Sequence, residues 1–231
     1  LSEEIQTPVP PTSTKSLPTV LPVTPQPTPA PTQTPSATLA TGDPALLLGN
    51  ATKVEDFNDN SAWNFEDNWV SLSVSDGQLH ITSKGTPYWN SWYTILPKIQ
   101  NFYLETTLTM PTCGGKDRFG LAFRLNDNSE FYFYALTCDG MWSFNRYTAD
   151  NQIVTILKDQ TSTELKPASE WNRLGVMAKG DNFEFYINGV KVGQASDNTL
   201  PNAGTYGFIS MAEGTTAFKT NVDKLAYWLI Q

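Results

Sequence analysis

Residues 171–192 read WNRLGVMAKGDNFEFYINGVKV, and this stretch decides the fold of the chain. Apolar residues recur at every second position on both sides of the turn at 179–182, which is the pattern of half-buried β-strands. Asn188-Gly189 then supplies two residues that tolerate positive φ, as a type I′ hairpin requires, and Val190 and Val192 continue the apolar side. The stretch therefore predicts consecutive antiparallel strands joined by tight turns.

A second group of strands is predicted between residues 102 and 147, where apolar and polar side chains again alternate. One side of these strands is almost wholly apolar and is expected to form core: Leu104, Leu108, Phe119, Leu121, Phe123, Phe131, Phe133, Ala135, Trp142 and Phe144. The other side gathers polar and aromatic residues: Glu105, Thr107, Arg124, Tyr132, Tyr134, Asn145 and Tyr147. Strands with one apolar side pack in pairs of sheets, so we expect an all-β, two-sheet antiparallel β-sandwich.

Several of these strand-and-turn pieces resemble the concanavalin A-like (laminin G-like) jelly-roll domains. The resemblance rests on 171–192 together with 69–79, 119–124 (FGLAFR) and 204–208 (GTYGF), and it spans roughly residues 54 to 230. More narrowly, the chain resembles the branch that includes the 3-keto-disaccharide hydrolase (DUF1080) domains and the fructan-binding modules of levanases and exo-inulinases. The resemblance implies a jelly roll, and it implies a role in sugar binding or hydrolysis only by association.

Composition divides the chain into two parts. All 28 aromatic residues lie at or after Phe57, whereas 11 of the 16 prolines lie at or before Pro44. The first part has almost nothing to bury, so residues 1–45 are expected to be a disordered Pro/Thr-rich spacer and residues 46–231 the jelly-roll domain. A spacer of this kind favours an extracellular or cell-surface location.

Charge and hydropathy narrow the choice of partners. The formal net charge is −8 and no extended basic patch occurs, which argues against nucleic acid and leaves neutral oligo- or polysaccharides compatible. No apolar run reaches the ~18 residues that a membrane-spanning helix needs. The chain starts at Leu1 without methionine, so we expect a processed or truncated product. An upstream membrane anchor or fused domain is compatible with this expectation. By default we expect a monomer.

The polar and aromatic side of the predicted sheet is the expected ligand site. Tyrosines offer a flat apolar surface to a sugar ring, and Arg124 with Glu105 can hydrogen-bond its hydroxyls. The resemblance supports this choice, because an arginine at the end of the 119–124 strand recurs in the family near the sugar-binding face. The predicted ligand-binding set is Glu105, Arg124, Tyr132, Tyr134, Asn145, Tyr147 and, from the aromatic run at 88–93, Trp89. The alternatives are an ordinary Glu105–Arg124 cross-strand pair and a Trp89 that plugs the end of the sandwich.

The two cysteines and a few carboxylates suggest further sites. Cys113 and Cys138 lie at strand ends that should meet at one edge, which predicts a disulfide, with two buried free thiols as the alternative. Asp56 lies near the first strand and Asp223 on the last strand. These strands commonly pair in jelly rolls, so the two carboxylates could contribute to a structural calcium site. Solvated turn carboxylates are the alternative, and no cofactor is required.

No catalytic signature emerges from the sequence. The paired acids that jelly-roll glucanases place on one strand are absent, as are the serine nucleophile elbow, the phosphate loop and the dinucleotide fingerprint. Three functions remain: a noncatalytic carbohydrate-binding module, a glycoside hydrolase resembling the 3-keto-disaccharide hydrolases, and a structural or adhesive surface domain that binds protein.

Overall fold

The computed structural model describes residues 42–59, 62–84 and 89–231, with the backbone alone at Trp89. The predicted spacer, residues 1–45, lies outside the described residues apart from positions 42–45. No helix within the described ranges is long and apolar enough to cross a membrane. The elements in chain order are α1 (Pro44–Leu47), β1 (Lys53–Glu55), β2 (Phe65–Glu66), β3 (Val70–Ser75), β4 (Gln78–Ser83), β5 (Trp89–Ile99), β6 (Phe102–Thr112), β7 (Arg118–Leu125), β8 (Phe131–Thr137), β9 (Met141–Tyr147), β10 (Ile153–Thr161), β11 (Asn172–Lys179), β12 (Asn182–Ile187), β13 (Val190–Ser196), β14 (Gly204–Ala212) and β15 (Lys219–Leu229).

The strands form two antiparallel sheets that pack as a sandwich. The nine-stranded sheet has the order β13-β12-β11-β6-β15-β4-β3-β2, and β1 pairs with β15 beside this path. The six-stranded sheet has the order β10-β9-β8-β7-β14-β5. This arrangement confirms the predicted all-β, two-sheet antiparallel sandwich. Each sheet has an inner face, which packs on the other sheet, and an outer face, which is turned away from it.

The stretch at 171–192 forms three neighbouring strands, as its pattern predicts. Leu174 lies opposite Ile187 and Val176 opposite Phe185 in the β11–β12 ladder, and all four side chains are fully buried in the inter-sheet core. The second turn uses Asn188-Gly189 with φ values of 51° and 84°, which an asparagine and a glycine adopt at little cost. Alternation and turn chemistry therefore agree, and together they fix the register of β11, β12 and β13.

Strand β8 faces the opposite way from the prediction. Tyr132, Tyr134 and Leu136 enter the inter-sheet core, whereas Phe131, Phe133 and Ala135 lie in a separate apolar cluster on the outer face. Both sides of β8 are apolar or aromatic, so alternation within the strand does not choose between them. Pairing with β9 does, because it sets Leu136 opposite Trp142 and Tyr134 opposite Phe144, and opposed residues point to the same face.

The cysteines form the predicted disulfide, which links the loops that follow β6 and β8. The Cys113–Cys138 Cα atoms are 5.7 Å apart. Two backbone hydrogen bonds run beside it: the Cys138 N–H donates to the Asp117 carbonyl at 3.0 Å, and the Asp139 N–H donates to the Gly115 carbonyl at 3.0 Å. Covalent and hydrogen bonds therefore hold these two loops together at one end of the six-stranded sheet.

Replacing both cysteines, Cys113→Ala with Cys138→Ala, is expected to lower the free energy of unfolding by about 3 kcal/mol. The cross-link joins positions 25 residues apart and restricts the unfolded chain, so its removal makes unfolding more favourable. Urea denaturation of the oxidised wild type and the double variant measures the difference. The wild type under reducing conditions should match the variant, and a loss below about 1 kcal/mol would contradict the expectation.

Four buried or half-buried polar side chains, which we call the Arg173 cluster, attach the start of the described chain to the nine-stranded sheet. They are Asp43, Tyr103, Glu105 and Arg173. The Arg173 guanidinium donates to Asp43 at 2.7 and 3.0 Å and to Glu105 at 3.1 and 2.6 Å, and the Tyr103 hydroxyl donates to Glu105 at 2.8 Å. Asp43 also accepts from the Ala45 N–H and so caps α1. Asp43 thus contacts the sandwich, although it precedes the boundary predicted at residue 46.

Candidate functional site

The predicted ligand face does not form, because its members lie in three different places. Glu105 is in β6 and belongs to the nine-stranded sheet, where β6 pairs with β11 and β15 rather than with β7. Its carboxylate is buried in the Arg173 cluster. The chain crosses from one sheet to the other between β6 and β7, and this crossing separates Glu105 from the other predicted ligands.

Arg124 is a buried structural residue rather than a surface ligand. Its φ of 52° interrupts the alternation of β7, and the β7–β14 register shifts at the same point, which marks a bulge. The guanidinium therefore turns away from the outer face and donates to the carbonyls of Gln100, Leu200 and Gly180 at 2.8 to 3.2 Å. Burial lowers the pKa of Arg124. The side chain joins three loops and has 1 % of its surface exposed.

The two predicted tyrosines of β8 lie in the core. The Tyr132 hydroxyl donates to the Asp197 carboxylate and accepts from the Leu200 N–H at 3.0 Å. Burial and then the bond with Asp197 raise the pKa of Tyr132 to about 12. Tyr134 is fully buried, and burial raises its pKa well above the usual value. Neither ring can contact a ligand on an outer face.

Asn145 and Tyr147 are brought to one surface, the outer face of the six-stranded sheet. Beside them lie two charged residues that sequence reasoning did not single out, Arg118 at the start of β7 and Glu213 directly after β14. We call Arg118, Ser143, Asn145 and Glu213 the polar site. The Arg118 guanidinium donates to Ser143 Oγ at 3.5 Å and to Glu213 Oε1 at 3.4 Å, and Asn145 Nδ2 donates to Ser143 Oγ at 3.0 Å.

The hydrogen bonds of Arg118 leave much of its donor capacity unused. Both of its bonds are long for N–H···O contacts, and Nε is buried without a hydrogen-bond partner among the described residues. The Arg118 side chain is 14 % exposed and that of Glu213 is 43 % exposed, whereas Ser143 and Asn145 are buried beneath them. The polar site thus presents a cation and an anion to solvent, supported from below by a hydroxyl and an amide.

Three aromatic rings, which we call the aromatic roof, cover the apolar part of the same face. Trp92 lies 5.2 Å from Phe131 and 4.9 Å from Tyr147, and Phe131 stacks on Tyr147 at 5.1 Å between ring centroids. The Tyr147 hydroxyl reaches across to Asn90 on β5 at 3.5 Å. The floor of the face includes the small residues Gly120, Ala122 and Ala135, and at Gly120 a Cβ atom would lie only 2.0 Å from the Tyr134 carbonyl oxygen. The face is therefore partly covered and not the open surface that was predicted.

Asp117 lies at the edge of the polar site and is fully buried. Its Oδ1 accepts from the N–H groups of Glu213 at 2.7 Å and Gly214 at 3.0 Å, and its Oδ2 accepts from the Gly114 N–H at 3.1 Å. Burial raises the pKa of Asp117, but hydrogen bonds from Thr215 and these N–H groups outweigh burial and leave the pKa below its ordinary value. The carboxylate is thus held in its charged form.

The remaining predicted site residues, Asp56, Asp223 and Trp89, do not form a ligand or metal site among the described side chains. Asp56 and Asp223 are exposed, and β1 pairs with β15 as expected. Within the described ranges no group of three or more His, Cys, Asp and Glu side chains could hold a metal ion, and calcium at this edge stays a prediction. The Trp89 side chain lies outside the described residues, so its predicted role is not addressed by the structure.

Arg118 and Glu213 were missed for different reasons. Alternation along β7 sets Arg118 on the same side as Gly120 and Ala122, so the sequence carried a signal for it. Glu213 follows the strand Gly204–Ala212 and reaches Arg118 only because β14 pairs with β7, where Met211 lies opposite Arg118. A pairing between strands so distant in sequence leaves no local pattern.

Comparisons with known proteins agree with this fold. Residues 47–225 match the family model described as 3-keto-alpha-glucoside-1,2-lyase-like domain. A β-glucanase of Bacillus licheniformis aligns over 78 % of this chain and 99 % of its own, with 13 % identity and a TM-score of 0.53. A GH43 protein of Bacillus licheniformis gives 14 % identity and a TM-score of 0.57, over 77 % of this chain and 39 % of its own.

The carbohydrate-binding module CBM66 of Bacillus subtilis aligns at 19 % identity with a TM-score of 0.46, over 76 % of this chain and 96 % of that one. A search of curated protein sequences returned no match. The identities of the β-glucanase and the GH43 protein are low, so these two likenesses establish the jelly-roll fold and do not by themselves establish an activity.

Proposed function

The chain belongs to the 3-keto-alpha-glucoside-1,2-lyase-like domain family, and from this premise we propose that it is a noncatalytic carbohydrate-binding module. The ligand is an oligo- or polysaccharide held on the outer face of the six-stranded sheet. The family description is one of sugar chemistry, and the polar site supplies the side chains that such a ligand needs. The site differs from the predicted one in every charged residue.

The observation that carries this proposal is the grouping of Arg118 and Glu213 beside an aromatic surface. Adjacent sugar hydroxyls both donate and accept hydrogen bonds, so a cation 3.4 Å from a carboxylate matches a pair of them. Trp92, which is partly exposed, offers a ring surface to the apolar C–H side of a pyranose or furanose, and the buried Tyr147 and Phe131 rings support it from beneath. Ser143 Oγ accepts from the guanidinium from beneath, and Asn145 in turn donates to that hydroxyl.

The cellular setting follows from other features. A disulfide persists in oxidising compartments, and a Pro/Thr-rich segment precedes the domain in the sequence. Both support an extracellular or cell-surface location. The acidic chain without a basic patch supports sugar rather than nucleic acid as partner, and the module acts as a monomer.

The test is a glycan-binding screen followed by titration. An array of glucans, fructans and xylans is probed with the whole chain, and the soluble oligosaccharide that binds best is then titrated calorimetrically. Arg118→Ala should weaken this binding by about 10- to 100-fold, since it removes charge-assisted hydrogen bonds worth about 1.5 to 3 kcal/mol. Lys98→Ala is the matched control, because it removes an exposed cation from the far end of β5.

The result should be a clear separation of the two variants. Equal affinities of Arg118→Ala and wild type would move the site elsewhere. A wild type that binds no glycan on the array would overturn the proposal and favour a structural or adhesive domain with a protein partner.

Catalysis on a keto-sugar is the second candidate, and the family match is the observation that favours it. Glu213 is the exposed carboxylate at the polar site and is the residue to carry a proton in such a reaction. Incubation with a 3-keto-disaccharide separates the candidates. Turnover by the wild type that is lost in Glu213→Gln would establish the enzyme, whereas binding without turnover supports the noncatalytic module.

A further inference from the structure

Asp117 joins two loops by accepting hydrogen bonds from their backbone N–H groups. It contacts no charged side chain of either loop among the described residues. None of the ion pairs within the described residues includes Asp117, although it is fully buried. Four N–H groups, those of Glu213, Gly214, Gly114 and Thr215, donate to it at 2.7, 3.0, 3.1 and 3.4 Å. A buried carboxylate that accepts these hydrogen bonds restricts the positions of its donors, and the donors restrict the position of the carboxylate.

The position of Asp117 couples this clamp to the polar site. Asp117 directly precedes Arg118, and the shortest of its backbone hydrogen bonds is donated by the Glu213 N–H, so both charged residues of the site are attached to one carboxylate. The disulfide and the Cys138-to-Asp117 backbone bond hold the same loop from the other side. A shift of Asp117 would therefore move Arg118 and Glu213 relative to each other, across a contact of 3.4 Å that is already long.

Asp117 is also separate from the inter-sheet core that stabilises the sandwich. The residues of that core are apolar and aromatic side chains from both sheets, whereas Asp117 lies in the loop before β7. Its partners at 213–215 form the loop after β14, where Gly214 is exposed. The clamp thus orders the edge of the polar site, where a ligand would contact the protein.

We propose that Asp117 is a positioning residue, which sets the distance and orientation between Arg118 and Glu213 for sugar binding. The inference rests on the proposed function. In Asp117→Asn the amide oxygen takes the place of Oδ1 and the NH₂ group that of Oδ2, so the bond from the Gly114 N–H is lost. The bonds from the N–H groups at 213–215 are weakened, because their acceptor no longer carries a charge. A substitution of this kind changes the clamp and leaves the side-chain volume unchanged.

The experiment measures sugar affinity and amide exchange in the same variants. Asp117→Asn should weaken binding of the oligosaccharide selected on the array by about tenfold and should speed hydrogen exchange at the Glu213 and Gly214 amides. Asp127→Asn is the control, since it alters an exposed acid in the turn between β7 and β8 and should change neither readout. If Asp117→Asn fails to fold, Thr215→Val removes the hydroxyl that bonds Asp117 and should give a smaller effect in the same direction.

A double-mutant cycle separates positioning from a purely structural role. If Asp117 acts through Glu213, the affinity loss from Asp117→Asn should nearly vanish in a Glu213→Gln background. A wild type that binds while Asp117→Asn binds equally well overturns this inference alone, and so does an effect that persists undiminished without the Glu213 charge. A wild type that binds no sugar overturns the proposed function and this inference with it.

Discussion

Arg173→Met should lower the free energy of unfolding by about 4 kcal/mol, the largest effect expected from a single substitution in this chain. Methionine keeps most of the apolar stem and removes the guanidinium. Asp43 and Glu105 then remain as carboxylates with side chains 0 % and 4 % exposed and without the cation that they share. Burying a charge without a partner is costly because neither water nor a counter-charge solvates it.

Urea denaturation of wild type and variant at neutral pH measures this loss. Lys191→Met is the matched control, because Lys191 pairs with Glu184 on β12 of the same sheet in a contact where both side chains are more than a third exposed. Its removal should cost below about 1 kcal/mol. Arg173→Lys should fall between the two, since one ammonium cannot reproduce the forked contacts with two carboxylates. Equal stabilities of Arg173→Met and Lys191→Met would contradict the expectation.

Arg124→Ala should lower the free energy of unfolding by about 3 kcal/mol while leaving sugar affinity within about twofold of wild type. The substitution deprives the carbonyls of Gln100, Leu200 and Gly180 of a shared donor, and it removes a cation 5.2 Å above the Phe183 ring. The bond to the Leu200 carbonyl is buried, and a buried carbonyl without a donor carries the full cost of desolvation. None of these contacts lies in the polar site.

Arg118→Ala supplies the reciprocal control for Arg124→Ala. It should weaken sugar binding strongly and change stability by less than about 1 kcal/mol, because its bonds are long and partly exposed. Chemical denaturation and calorimetric titration on both variants give four values. A stable Arg124→Ala protein that has lost sugar affinity would return the site to the residues first predicted from the sequence.

The fold could be predicted from the sequence because its signals are local. The turn at Asn188-Gly189 and the alternation on both sides of it specify β12 and β13 within a few residues, and the structure confirms them. The disulfide was predictable because both cysteines lie at strand ends. Strand pairing between distant segments has no such local signal, so the assignment of Glu105 to the same face as Asn145 was wrong.

The site was harder to predict because the face that each side chain occupies depends on how the strands pair and on a bulge in β7. Tyr132 and Tyr134 have the polar atoms that suggest an exposed face. Tyr134 lies opposite Leu121 on β7 and Phe144 on β9, and Tyr132 lies opposite Phe123 on β7, so pairing places both inside. Arg124 fits the alternation of β7 until its own positive φ breaks it. The β8–β9 hairpin carries the signal that places Tyr134, since a core position for Phe144 requires a core position for Tyr134 opposite it.

The attachment of Asp43 to Arg173 also distinguishes the two outer faces of the sandwich. The Arg173 cluster lies on the outer face of the nine-stranded sheet, whereas the polar site lies on the outer face of the six-stranded sheet, and these two surfaces point in opposite directions. A sugar bound at the polar site, as we propose, would therefore not contact Asp43 or the other residues of the Arg173 cluster.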